Sequence, residues 1–271
     1  MSAFLITGLS TMSVFVALAT LTHLQFGKAG IVNFGVVGFA GVGMYSFGVM
    51  TVTYEVPWLV ALAIATLLVG LLGLIVGRII LNLDAESVLV ATLAFAVVVH
   101  TLVITEKQWT RGVRGFGTIP HPFDFGRDTR FAFMLVLAVV ALALLLYAWK
   151  LNSQPYGRLL FSIQDNEPLS QSLGKPTFRQ KVIFFTITSA AMGLVGALFA
   201  SASRFLVPQM LTAGLTFTVW IAIILGGRKH FLGGLIGVIA TFGLFNIVIE
   251  TYAELPDSLV QQLPGRAPRR A

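Results

Sequence analysis

Cysteine is absent from the 271-residue chain, which removes disulfides and thiolate metal sites from consideration. Charge is scarce as well: 11% of residues are charged, against 56% hydrophobic. Soluble domains carry about a quarter charged residues, so most of this surface must face lipid. Chemistry-bearing patterns are missing too. No G-x-x-x-x-G-K-[ST] phosphate loop occurs, and no histidine and carboxylate cluster has metal-ligand spacing. No serine has a histidine and an acid arranged around it. Within the apolar stretches the ionisable residues are His23, His100 and, at an end, Glu250. Proton-coupled pumps use buried titrating groups as relays, and this chain has almost none. The sequence therefore predicts no enzyme, no cofactor, no metal, and no engine of its own.

What is present is hydrophobic length. At roughly 20 apolar residues per span, the chain suits an all-α polytopic transmembrane bundle of about seven or eight spans. Apolar blocks run at about Ala3 to Phe26, Ile31 to Val52, Trp58 to Val76, Ser87 to Ile104, Phe131 to Trp149 and Val182 to Ala202. Two further blocks, Gly214 to Leu225 and Phe231 to Ile249, are split by Gly226, Gly227, Arg228, Lys229 and His230. The first of these is short enough to be tilted or re-entrant. Met1 to Ser13 lacks a basic segment and a cleavage signature, and reads as part of the first span. Residues 1–253 form the membrane domain, and residues 254–271, rich in proline and arginine, read as a disordered tail.

The net charge of +7 fits loops that face anionic lipid headgroups. No basic run is interleaved with aromatics, so nucleic acid is not an expected partner. With the amino terminus outside and all eight blocks crossing, nine Lys and Arg residues fall on each side. Basic-residue asymmetry then gives no orientation.

Two stretches suggest a mechanism. Gly35, Gly38, Gly41 and Gly43 put small residues on several faces of the second span. They suit close helix packing, or a helix that unwinds beside a cavity. Asn33, near the start of that span, suits a cap or a polar path. The loop from Lys150 to Lys181 is the most polar part of the chain. Pro168 predicts two short helices joined at Asn166 and Glu167, and Gly174 with Pro176 predicts a stop. The pattern fits a helix lying on the membrane and a docking element for a soluble partner equally well.

These residues also carry a resemblance. Gly30, Asn33, Phe34, Gly35, Phe39 and Gly43-Met44-Tyr45 resemble the second-span signature of the branched-chain amino-acid permease family, with Met44 in place of the usual alanine. Thr92-Leu93-Ala94-Phe95 is similar to its Thr-Leu-Ala-Phe span. Thr110, Gly112, Gly115 and Ile119-Pro120 are similar to its outer loop, with Arg111 replacing a glycine. Asp165-Asn166-Glu167, Ser170, Gly174 and Lys181 resemble its cytoplasmic coupling segment, with Ser170 where alanine is usual. Gly193, Gly196, Val207-Pro208, Leu225-Gly226-Gly227-Arg228, Gly233 and Gly237 complete the order, from about residue 10 to residue 245. The M-type partner is matched better than the H-type. After the last apolar block, Pro256, Pro264, Pro268 and a basic tail stand where the family has a further span and a Pro-x-Gly ending.

The resemblance implies a permease subunit of an ATP-binding-cassette importer in the inner membrane. Its partners would be a second permease subunit, two cytoplasmic ATPases and a periplasmic substrate-binding protein. Asp165, Glu167, Ser170, Leu173, Gly174 and Lys181 would couple to the ATPases, with Asp165 and Glu167 capping the coupling helix. Asn33, Gly35, Gly38 and Thr92 would line the translocation pathway. Three other readings stay open: a permease for urea or short amides, a self-sufficient facilitator, and a non-transporting scaffold. No charged residue in the sequence marks a site for an amino-acid carboxylate.

Overall fold

The computed structural model describes residues 3–119, 129–227 and 232–242. Pro120, Arg228, Lys229, His230, the end of the last apolar block and the tail from residue 254 lie outside the described residues. The described part is helical, with one isolated bridge pair, Phe116 and Leu206. Six helices are long and apolar enough to cross a membrane. They are α1 (Ala3–Ala29), α2 (Val36–Gly48, continued by a π turn at Val49–Thr53), α3 (Trp58–Ile80), α4 (Ala85–Thr105), α6 (Thr129–Ser153) and α9 (Thr177–Ser203). Shorter pieces are α5 (Lys107–Thr110), α7 (Pro155–Asp165), α8 (Glu167–Ser172), α10 (Ala213–Gly226) and α11 (Gly233–Phe242). Six spans with two short apolar helices agree with the polytopic bundle expected from composition.

Several boundaries differ from the hydropathy reading. Helix α1 runs through Gly27 and Lys28, expected to be a polar break, and stops only at Ala29. The second span does not begin as a helix at Ile31: residues 30–35 are non-helical and largely buried, and α2 starts at Val36. Composition misses this because Ile31, Val32 and Phe34 are as apolar as helical residues. Helix α6 extends to Ser153 and α9 begins at Thr177, so the polar loop is shorter than Lys150 to Lys181. Long basic side chains such as Lys150 and Arg179 extend helices beyond the hydrocarbon while their charges reach water.

Helices α2 and α9 form the centre, packed on each other and on α3. Their contact depends on backbone approach. A Cβ on Gly43 would lie 2.1 Å from the Gly193 carbonyl oxygen, and one on Gly196 would lie 2.1 Å from that of Ala40. Helix α3 meets the other side of α9 through Gly70, Gly73 and Gly77, which face Ala190, Ser189 and Phe185. Lipid tails are as apolar as leucine, so dispersion from such close packing replaces the hydrophobic effect as the associating force. The outward faces of α3, α4 and α6 expose Leu67, Leu71, Ile79, Val90, Leu102, Val139 and Leu142.

After α9 the chain turns back into the bundle. Leu206 sits against Gly48, and Leu211 against Gly41. Helices α10 and α11 then pack antiparallel, with a Cβ on Gly226 falling 1.7 Å from the Gly233 oxygen and one on Gly237 falling 1.6 Å from the Ala222 oxygen. At about 21 Å of rise, α10 is too short to cross the membrane alone.

Replacing Gly196 with valine drives a side chain into the α2 backbone and costs about 1–3 kcal/mol of overpacking. Gly8→Ala meets nothing within 4 Å and stabilises α1 by up to about 1 kcal/mol. Unfolding of the detergent-solubilised protein, followed by far-UV circular dichroism, checks both signs.

Candidate functional site

The non-helical segment between α1 and α2 is held by a buried polar network. Backbone groups in a membrane interior have no water to bond, so each needs an internal partner. Ile31 N–H donates to the Gln25 carbonyl at 2.9 Å. Phe34 N–H donates to Thr92 Oγ1 at 2.9 Å, and Gly35 N–H to Asn33 Oδ1 at 2.7 Å. The Asn33 carbonyl accepts Trp220 Nε1–H at 3.0 Å. The Asn33 amide donates to Gln25 Oε1 at 2.8 Å, and Gln25 Nε2 donates onward to Thr188 Oγ1 at 2.7 Å. Thr188 and Thr92 donate their own protons to helix carbonyls of Phe184 and Val88. One segment thereby binds α1, α4, α9 and α10. Phe34 stacks on Trp220 with ring centres 4.5 Å apart, and Phe26 meets the same indole edge-on at 5.1 Å.

The four expected pathway residues converge here. Asn33 and Thr92 are wholly buried. A Cβ on Gly35 would lie 2.9 Å from the Thr92 oxygen, and one on Gly38 would lie 2.9 Å from Ala96 Cα. Their neighbours in this conformation are protein atoms. Gln25, Thr188 and Trp220 complete the network and were not singled out from sequence. Gln25 was visible as an amide within an apolar stretch, but Thr188 and Trp220 are unremarkable until the fold places them.

The polar loop forms the other candidate region. As Pro168 predicted, it holds two helices, α7 and α8, broken at Asn166. The cap differs from the expectation. Asn166, not Asp165 or Glu167, caps α8 by accepting the Leu169 N–H at 2.9 Å. Asp165 is the last residue of α7, and Glu167 is the first of α8. An amide oxygen one residue before the helix reaches the free N–H groups, which a carboxylate already in the first turn does not.

Gly174 ends α8 as expected, at φ +76°. Lys175 N–H bonds the Ser170 carbonyl at 3.1 Å, and Gly174 N–H bonds that of Gln171 at 2.9 Å, the paired closure of a left-handed helix stop. Ser170 is buried and donates to the Ser162 carbonyl at 2.9 Å, locking α8 to α7. Glu167 forms an ion pair with Lys181 in the first turns of α9. Leu169 and Leu173 lie one turn apart and are largely exposed.

The two regions meet. Gly30, at φ +68°, lies against Gln164 of α7, and a Cβ there would fall 3.1 Å from its Cγ. A cavity of about 240 Å³ between them is lined by Gly30 to Val32, Asp84, Gln164, Glu167 and Lys181. Asp84 is held below the ordinary carboxylate range by a hydrogen bond from its own backbone and by the Ser87 hydroxyl at 3.1 Å.

At the opposite end, the segment after α4 pairs with the chain after α9. Phe116 and Leu206 exchange two 2.9 Å backbone bonds, and Ile119 N–H bonds the Arg204 carbonyl at 2.9 Å. Gly115, at φ +64°, leaves only 2.0 Å between a built Cβ and the Leu206 oxygen. Arg111 adopts φ 61° and lies over the Phe116 ring at 5.4 Å. A second cavity at this end, about 320 Å³, brings together Arg130 and Arg204, which are distant in sequence and were not singled out there. Among the described residues no group of three or more His, Asp or Glu side chains could hold a metal.

Asn33→Leu removes the partners of Gly35 N–H and Gln25 and is expected to destabilise the bundle by about 1–3 kcal/mol. Glu167→Gln and Lys181→Gln each cost about 1 kcal/mol or less, since the pair is partly exposed, and their effects are not additive. A double-mutant cycle in the same unfolding assay checks this.

The sequence matches the family described as branched-chain amino acid transport system, permease component, over residues 4–265. It is 26% identical to the high-affinity branched-chain amino acid transport system permease protein LivM of Escherichia coli, over 79% of this chain and 56% of that protein. It is 23% identical to a probable branched-chain amino acid transport permease protein LivM of Methanocaldococcus jannaschii, over 85% of this chain and 76% of that one. It is 29% identical to the autoinducer 2 import system permease protein LsrC of Salmonella typhi, over 64% of this chain and 50% of that one. The chain thus spans about half the length of some curated relatives it matches. With six apolar spans arranged around a glycine-packed α2–α9 centre, this chain belongs to the branched-chain amino acid transport permease family.

Proposed function

We propose that the chain is the membrane-spanning permease subunit of an ATP-binding-cassette importer that moves branched-chain or related amino acids across the inner membrane. It pairs with a second permease subunit, two cytoplasmic ATPases dock on α7 and α8, and a periplasmic binding protein delivers the cargo. The observation that carries this reading is the α7–α8 loop. It presents Leu169 and Leu173 outward at one end of the bundle, while Ser170, Gly174 and the Glu167–Lys181 pair hold its shape.

A rigid loop with an unpartnered apolar face suits a lever. Closure of the ATPases would push α7 and α8 together, and the Gly30–Gln164 contact would pass the displacement to the α1–α2 break. Asn33, Gly35, Gly38 and Thr92 then act beside the pathway by fixing where α2 begins and how closely it approaches α4. Arg111, Gly115 and the Phe116–Leu206 pairing shape the outer mouth. The relative named for autoinducer 2 import keeps a different cargo in play for related permeases, as do urea and short amides; nothing at the break selects among them.

Affinity purification of the chain from its own membranes should recover a second permease and the ATPases. Leu169→Asp with Leu173→Asp should cut the recovered ATPase about tenfold or more, since loss of one docking hot spot is worth about 2 kcal/mol, while leaving the unfolding transition unchanged. Purification of the wild-type chain alone, or as a self-oligomer, would remove the importer reading and favour a facilitator.

A further inference from the structure

The chain does not resume a long helix at once after α9. Residues 205–212 run inward between α2 and α4 through a short 3-10 turn at Pro208–Leu211, and α10 begins beyond them. Leu206 and Leu211 are buried near either end of this plug. Their seats on α2 are glycines, Gly48 and Gly41.

The plug is held unevenly. Phe116 and Leu206 exchange two backbone bonds, and Ile119 N–H bonds the Arg204 carbonyl, so residues 116–119 and 204–206 form one body. Met210 N–H bonds the Val207 carbonyl within the plug. Among the described residues, no hydrogen bond joins residues 205–212 to α2. That contact is leucine on glycine, and it can part without leaving a backbone group unpaired. The cost of exposing Leu206, Leu211 and Phe116 to water keeps it shut at rest.

Tyr45 lies on the face of α2 that the plug covers. Residues 41, 45 and 48 stand four and three apart and share one side of the helix. The Tyr45 ring centre is 6.1 Å from that of Phe116. Tyr45 is 4% exposed, and its hydroxyl has no hydrogen-bond partner among the described residues. Ser46 and Thr51, further along the same helix and its π turn, donate to the Val42 and Phe47 carbonyls. The phenol ring carries its oxygen too far from the helix for such a bond. A buried hydroxyl without a partner bears its full desolvation cost, which a phenylalanine of the same shape avoids. That cost is relieved when the plug stands away and the hydroxyl meets water or a ligand.

We propose that Tyr45 is a cargo contact uncovered when the plug leaves α2, its hydroxyl bonding the charged head of the passing amino acid. The inference rests on the importer reading, which puts this end of the bundle on the periplasmic side, and adds a specificity-determining residue to it. A phenol both donates and accepts, so carboxylate and ammonium are each within its chemistry, and a bond to either is charge-assisted. One such bond favours entry and still lets the cargo leave, as a conduction path requires.

The complete importer is reconstituted in proteoliposomes with ATP inside and leucine-loaded binding protein outside, and uptake of radiolabelled leucine is measured together with ATP hydrolysis. Tyr45→Phe should lower uptake about tenfold, the factor for about 1.4 kcal/mol, which is near the worth of a hydrogen bond to a charged group. ATP hydrolysis stimulated by the binding protein should persist. The unfolding transition of the solubilised chain should stay or rise, since the resting protein loses no hydrogen bond. Because the chain has no cysteine, Tyr45→Cys supplies its one thiol. A membrane-impermeant methanethiosulfonate added outside should label that thiol when loaded binding protein and ATP are both present and spare it when both are omitted.

A Tyr45→Phe complex that imports at the wild-type rate overturns the proposal. So does a lowered unfolding transition in that variant, which makes the hydroxyl a structural group satisfied at rest. A Tyr45→Cys thiol labelled equally in both conditions, or in neither, shows that no plug uncovers the position and overturns the proposal as well. Wild-type uptake separates the two readings. With it intact, these failures remove the Tyr45 contact alone, whereas a wild-type complex that imports no amino acid removes the importer reading and the contact together.

Discussion

The constraint on which the structure depends is that a backbone in hydrocarbon must satisfy its own hydrogen bonds. Residues 30–35 leave the helix, so side chains do what helix carbonyls do elsewhere. Asn33 is central: its side chain accepts from Gly35 N–H and donates to Gln25, and its carbonyl accepts from Trp220. Because the partners come from α1, α4, α9 and α10, the break is a junction of the bundle and not a loose hinge. It lies beside α7 through Gly30 and Gln164.

A second constraint is geometric. Helices α2, α3 and α9 approach through glycine, so the centre of the bundle is fixed by backbone contact with few large side chains between. Close packing transmits displacement without absorbing it. At the end opposite α7, Gly115 serves the same purpose, admitting the Leu206 carbonyl, while Arg111 holds a left-handed turn whose strain is offset in part by its contact with Phe116.

Much of this was legible in the sequence, and the remainder was hidden for identifiable reasons. Apolar length gave the spans, Pro168 the break between α7 and α8, and Gly174 the stop. Hydropathy could not see that residues 30–35 leave the helix, because apolarity does not specify backbone conformation. The cap at Asn166 was misassigned to its acidic neighbours because position, not charge, decides a cap. Asn33 and Thr92 were expected beside a translocation pathway, and the structure places both in the buried polar network. Their neighbours turned out to be Gln25 and the backbone of Phe34, contacts that no local pattern encodes. That Arg130 and Arg204 line one cavity is likewise long-range and appears only when α6 and α9 come together.

The central claim is that a buried polar junction makes the α1–α2 break a rigid link between the α7–α8 loop and the centre of the bundle. Amide hydrogen exchange of the intact protein in nanodiscs, resolved to the peptide covering residues 30–36, tests it most directly. The account predicts protection at Ile31, Phe34 and Gly35 comparable to that within α2, because each amide has an internal partner at 2.7 to 2.9 Å. Exchange in this peptide as fast as in the exposed turn at residues 106–111 would contradict it, leaving the break a flexible connection that carries no displacement.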